Sequence, residues 1–214
     1  MESLSGNHAA ALVHFARAES LGVTNPHFHA NYGLELLQAG RPADAAAELL
    51  HSLSQDSTRA SVWSHLGVAR LRTHRTEDAL AAMRRASALA PTDEDLRYNL
   101  ASTLIQLGRY ADAESVLQQP APQRADLLAV RGLARRGLDR KPEALADLRR
   151  AAELAPRNTD ILNNYGVLLA ETGDVPGALA AWHHVLEIEP GNRTARENLA
   201  ARGGAPAAAP VQKE

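Results

Sequence analysis

Small residues recur along this chain at Gly33, Gly67, Ala101, Gly132 and Gly166, in steps of 34, 34, 31 and 34 residues. Twelve residues after each stands an alanine: Ala45, Ala79, Ala113, Ala144 and Ala178. Four residues further on comes a large apolar side chain: Leu49, Met83, Leu117, Leu148 and Trp182. Prolines close three of these units, at Pro91, Pro156 and Pro190. Residue classes that hold one register over five units mark an internal repeat, whose units must stack on one another to bury their apolar faces.

Each unit holds two short amphipathic stretches split by a turn, such as Ala39-Gly40-Arg41-Pro42 or Thr172-Gly173-Asp174-Val175-Pro176. Glycine there takes a positive φ and ends one helix, and proline starts the next. The small residue of the first helix is read as meeting the alanine of the second, so that two backbones approach closely. The large apolar residue then fills space towards the neighbouring unit. Aromatic residues make up only 4% of the chain, which suits close-packed helices better than sheets.

The pattern resembles the tetratricopeptide repeat over residues 7–202. Trp63-Ser64-His65-Leu66-Gly67, followed by Ala79, Met83 and Pro91, carries the W-x2-L-G signature. The resemblance implies an all-α fold, a right-handed superhelical solenoid of antiparallel helix pairs with a concave groove lined by the first helices. Repeats are expected to start near residues 26, 60, 94, 125 and 159. Ala11, Phe15 and Ala18 lie one period before Ala45, Leu49 and Ser52. Residues 7–21 are therefore expected as an unpaired second helix capping the N-terminal end. Residues 193–202 are expected as an extra first helix, with Leu199-Ala200 where Leu-Gly would stand. Residues 1–6 and the Ala/Pro-rich tail 203–214 are expected to be disordered.

The step into the fourth unit is three residues short and runs through Gln118-Gln119-Pro120-Ala121-Pro122. That unit also puts Arg131 where the others have Tyr32, Leu66, Leu100 and Tyr165. A buried arginine needs a partner, and Asp147 on the paired helix is the expected one.

Little in the chain suggests catalysis. It has no cysteine, which removes disulfides, thiolate metal sites and a cysteine nucleophile. The nine histidines include His27 with His29 and His183 with His184, spacings that diverge on a helix, so no metal site is expected. No phosphate-binding glycine loop or nucleophilic serine context is present, and no catalytic residue or cofactor is expected. A net charge of −2 gives no general attraction to nucleic acid. Arg84-Arg85 and Arg149-Arg150 read as solvated outer faces among acidic residues.

The residues after Met1 are polar, and the apolar stretch Ala9 to Val13 is too short for a leader or a membrane span. The chain as given is expected in the cytoplasm, and in the periplasm only if a leader has been removed. Its cations are almost all arginine, which points to a GC-rich bacterial genome.

Two residues before each repeat glycine, or its substitute, stand Asn31, His65, Asn99, Val130, Asn164 and Asn198. An asparagine amide offers both a donor and an acceptor to the backbone of an extended peptide. The row looks like the asparagine ladder in the repeat arms of peptide-glycosylating transferases. Around it the candidate peptide-binding residues are Leu34, Gln38, Val68, Arg72, Tyr98, Ser102, Gln106, Asn163 and Val167. Asp95, Asp126 and Asp160, at three first-helix starts, would favour a basic segment in the ligand. The groove clamps of chaperone-tail binders are not matched, since Ala30 and Leu34 stand where such clamps have lysine and asparagine.

These residues lead to the expectation of a non-catalytic adaptor that binds an extended segment of a protein partner. The alternatives are a self-associating scaffold or homo-oligomer, the repeat arm of a larger protein, or a pilus- or secretin-assembly factor. Asn163-Asn164-Tyr165-Gly166-Val167 has some likeness to the last, whose members carry a lipidated N-terminal cysteine absent here.

Overall fold

The computed structural model describes residues 2–118 and 121–203, with backbone alone over residues 2–7. All regular structure among them is α-helical: α1 (Glu2–Ser20), α2 (Pro26–Gln38), α3 (Pro42–Gln55), α4 (Ala60–Arg72), α5 (Thr76–Leu89), α6 (Glu94–Gln106), α7 (Tyr110–Val116), α8 (Ala125–Gly137), α9 (Lys141–Leu154), α10 (Thr159–Glu171), α11 (Val175–Ile188) and α12 (Arg193–Ala201). Helix α1 thus begins at Glu2, within residues that the sequence reads as disordered. Of the expected tail, residues 204–214 lie outside the described residues.

The chain divides into two compact units, residues 1–100 and 101–214, with the boundary inside α6. In the first unit, α2 pairs with α3 and α4 with α5. Their joint core holds Leu36, Leu49, Leu53, Val62 and Leu66. Helix α1 closes one end, where Phe15 stacks on Tyr32 with ring centroids 5.2 Å apart. In the second unit, α8 pairs with α9 and α10 with α11. Leu148, Ile161 and Leu168 fill the space between these pairs, and Leu199 of α12 packs into the last cluster with Trp182.

The recurring small residue is a point of close approach within one helix pair. A Cβ on Gly33 would meet Leu49 Cγ at 2.7 Å and the Ala45 carbonyl oxygen at 3.2 Å. On Gly67 it would meet Met83 Cγ at 2.6 Å, and on Gly132 Leu148 Cγ at 2.9 Å. The large apolar residue therefore lies directly over the glycine of its own unit, where the sequence reading aims it at the neighbour. The alanine contributes its carbonyl oxygen, because the two backbones approach most closely there.

All five turns between paired helices share one closure. Gly40, His74, Gly108, Asp139 and Gly173 take positive φ, between 57° and 94°. The next residue then bonds back across the turn, as in Arg41 N–H to Leu36 O at 2.8 Å and Arg140 N–H to Arg135 O at 2.9 Å. That satisfies a terminal helix carbonyl in the Schellman manner. His74 and Asp139 hold a left-handed backbone with a side chain attached, at a cost of about 1 kcal/mol each.

The short step falls where α7 has 7 residues, against 14 in α3, α5, α9 and α11. A buried ion network stands beside it. Arg131 binds Asp147 through both Nε (2.9 Å) and Nη2 (2.6 Å), the partnership that the repeat register predicts. Arg135 bridges Asp147 (2.8 Å) to Glu114 (2.9 Å), and Arg140 binds Glu114 in turn (2.8 Å). Asp147 and Glu114 are only 4% and 5% exposed. Residues at the places of Arg135 and Glu114 in the other units include Leu36, Leu104, Leu80 and Leu145. Polar side chains have here replaced apolar packing as a connected set.

Candidate peptide-binding face

On a helix, residues at i, i+3 and i+7 lie along one stripe. Counting from the ladder position, that stripe is Asn31-Leu34-Gln38 on α2 and His65-Val68-Arg72 on α4. On α10 it is Asn164-Val167-Glu171, and on α8 it is Val130-Leu133-Gly137. The ladder residue of α12 is Asn198.

Asn31 and Gln38 are exposed, Leu34 and Val68 half-buried. Asn164 is half-buried, and neither it nor Asn31 makes a side-chain hydrogen bond among the described residues. Asn99 is exposed, while Val130 is buried. Burial pushes the His65 imidazole below its ordinary range. A neutral imidazole, like a carboxamide, can both donate and accept a hydrogen bond, and His65 is half-buried. Arg72 is exposed, and its head group donates to Leu37 O at 2.6 Å. Ser102 and Val167 are half-buried and Gln106 is exposed. The Ser102 hydroxyl and the Asn198 amide nitrogen are both buried without a hydrogen-bond partner.

Two candidates stand one residue off the stripe, about 100° around the helix. Tyr98 is half-buried there. Asn163 is 7% exposed and donates to the Asn192 side chain at 3.3 Å, while its carbonyl accepts from Trp182 Nε1 at 3.4 Å. It belongs to the packed seam between α10 and α12 and not to an open face, which corrects its place among the expected contact residues. The acidic helix starts also differ. Asp126 is engaged by Arg124 at 2.6 Å, whereas Asp160 is exposed.

Leu133, Gly137 and Glu171 complete the stripe on α8 and α10 and share its register, although they are not among the expected contact residues. With Ile105, Tyr110 and Arg136 they line a half-open recess of about 420 Å³. Arg136 Nε donates to Glu171 at 2.9 Å, and its Nη2 donates to the other carboxylate oxygen. The hydrogen bond from Arg136 holds the Glu171 carboxyl below its ordinary range, and the same bond raises Arg136.

The histidines go separate ways. His29 is buried against Glu48 at 2.7 Å and His27 is exposed, while His184 bonds Glu187 at 3.1 Å and His183 is half-buried. Among the described residues no three His, Cys, Asp or Glu side chains are grouped to hold a metal ion. No helix among them is long and apolar enough to cross a membrane.

Profiles of the tetratricopeptide repeat match residues 31–94 and 130–193, and a second such profile matches residues 70–136. No curated protein matches the chain in sequence. Among solved structures, MamA from Desulfovibrio magneticus RS-1 superposes with a TM-score of 0.69 at 19% identity, over 78% of this chain and 97% of that one. YrrB, described as a TPR protein with an unusual peptide-binding site, gives 0.67 at 20% identity, over 86% and 96%. PilF of Pseudomonas aeruginosa gives 0.69 at 19% identity, over 83% and 88%. At these identities the likeness is one of fold. The matched repeats and the helix pairs together make the chain a member of the tetratricopeptide-repeat family, an all-α helical repeat of the kind that generally serves as a non-catalytic protein-interaction module.

Proposed function

We propose that the chain is an adaptor that binds an extended peptide segment of a partner protein along the stripes of its first helices. The observation that carries this reading is a carboxamide at one repeat register in each compact unit, exposed Asn31 and half-buried Asn164, neither held by a side-chain hydrogen bond among the described residues and each followed by an apolar side chain one turn on. An extended strand exposes its N–H and C=O groups every few ångströms and needs donors and acceptors in pairs, which a carboxamide supplies. Leu34 and Val167 then shield these bonds from water. The peptide-binding site ascribed to YrrB, on a similar fold, is consistent with the reading. Exposed Asp160 would favour a basic residue in the ligand.

Each ladder bond contributes roughly 0.5–1.5 kcal/mol net, so several of them give a moderate, exchangeable complex. Random linear peptides displayed on phage and selected on the full chain should yield binders. The double variant Asn31→Ala, Asn164→Ala should keep its helicity by circular dichroism and bind the selected peptides at least about tenfold more weakly. Unchanged affinity would overturn the ladder.

A second reading, self-association, draws on Val13 and Leu21 near the N-terminal end, which are 67% and 76% exposed. Apolar side chains this open suit an end-to-end contact between copies.

A further inference from the structure

The stripe of the first helices carries Gln38, Arg72, Gln106 and Glu171 at its last position, and in one repeat it carries Gly137. Gly137 is a helical residue, so its role is space and not backbone freedom. A Cβ there would lie 2.4 Å from Cγ of Tyr110 and 2.5 and 2.6 Å from its two Cδ atoms. These near-equal distances put the face of the tyrosine ring on the glycine backbone. Every side chain larger than hydrogen would push the ring away.

Beside the seated ring lies the recess of about 420 Å³, with Gly137 and Tyr110 both in its lining. Ile105, Leu133 and the Tyr110 ring supply apolar walls, and Arg136 with Glu171 forms the polar part. The two charges are engaged with each other through paired hydrogen bonds, so the recess presents no unbalanced charge. A charged ligand group would lose its hydration there without gaining a free counter-ion. An apolar group of matching size would not.

We infer that this recess is the anchor pocket of the peptide site and receives one aromatic side chain of the ligand; the inference rests on the peptide-binding reading above. The volume falls in the lower range of pockets that enclose a compact group. An aromatic ring can lay its face on the Arg136 guanidinium and an edge on Tyr110, contacts that a branched aliphatic side chain makes less well. Asn164 and Glu171 sit on one α10 stripe two turns apart, a distance of roughly 10 Å. About three residues of extended peptide cover that distance. A ligand whose backbone pairs with Asn164 therefore places its anchor side chain in the recess about three residues away.

The test uses the full chain and the phage-displayed linear peptides. The selected peptides should share a Trp, Tyr or Phe, and replacing that residue with alanine should weaken binding at least tenfold. Leu133→Trp, which grows into the recess, should weaken binding as much while leaving the thermal melt in place. Should Leu133→Trp unfold the chain, Ile105→Trp fills the recess from another wall and is read the same way. Selected peptides without a common aromatic, or equal binding by wild type and the filled variant, would overturn the pocket. If Asn31→Ala, Asn164→Ala still weakened binding in that case, the peptide-binding reading would stand without it. A library that yields no binder at all would overturn both.

Discussion

Replacing Asp147 with alanine is expected to destabilise the second unit by about 3–5 kcal/mol, the cost of stripping a buried ion pair of one partner. Asp147 is the carboxylate on which both Arg131 and Arg135 close, at 2.6 and 2.8 Å. Arg135 keeps Glu114 when Asp147 is removed, but Arg131 loses its ion-pair partner while remaining mostly buried. The loss is expected in urea unfolding, with native-state amide exchange showing α8 and α9 opening first. Residues 1–100 form their own compact unit, so exchange in α2 to α5 should change far less. A loss under 1 kcal/mol would mean that the arginines find water or other partners, and that the network is not a structural element.

Gly166→Ala is expected to cost about 3 kcal/mol, the upper end for overpacking a close-packed core. The new methyl would meet Trp182 Nε1 at 2.5 Å and Cε2 at 2.9 Å. Trp182 is 2% exposed, and its ring can move only as a rigid plate. The equivalent Gly67→Ala meets Met83 Cγ at 2.6 Å, on a flexible side chain that can swing aside. Its cost should be nearer 1 kcal/mol. Parallel urea melts of the two variants check the ordering. Equal losses would show that the shared backbone approach, and not the residue lying over the glycine, sets the constraint.

The repeat register carries most of what was legible in the sequence. Gly33, Ala45 and Leu49 come together because a 34-residue period can persist in three residue classes only if one packing geometry recurs. Arg131 could be paired with Asp147 because Arg131 breaks that register and Asp147 is an acid on the paired helix. Glu114 breaks it too, standing in line with Ala46, Leu80, Leu145 and Leu179, but an acid in a short helix reads as solvated until its arginines are in view. The turns at His74 and Asp139 were hidden for a similar reason. Their left-handed backbone follows from the closure of the helix before them; His and Asp enter that region more readily than most residues, but without the glycine of the other turns neither marks it in the sequence.

The candidate face was legible as a stripe and less so as a set of contacts. Asn31 is exposed and Asn164 half-buried, while Asn163, next in sequence to Asn164, is drawn into the α10–α12 seam by Asn192. Whether an amide is available depends on the neighbouring helix, which periodicity does not encode. The recess beside Gly137 depends on the ring of Tyr110, a residue of another helix, and no local pattern marks that meeting.

The central claim is that ligand binding occurs on the first helices. Amide hydrogen exchange of the full chain, with and without a saturating selected peptide, tests it most directly. Added protection is expected in the first helices α2, α4, α8 and α10, with α3, α5, α9 and α11 little changed. Protection centred on the second helices, or confined to α1 and α12, would contradict it and move the interface to those helices.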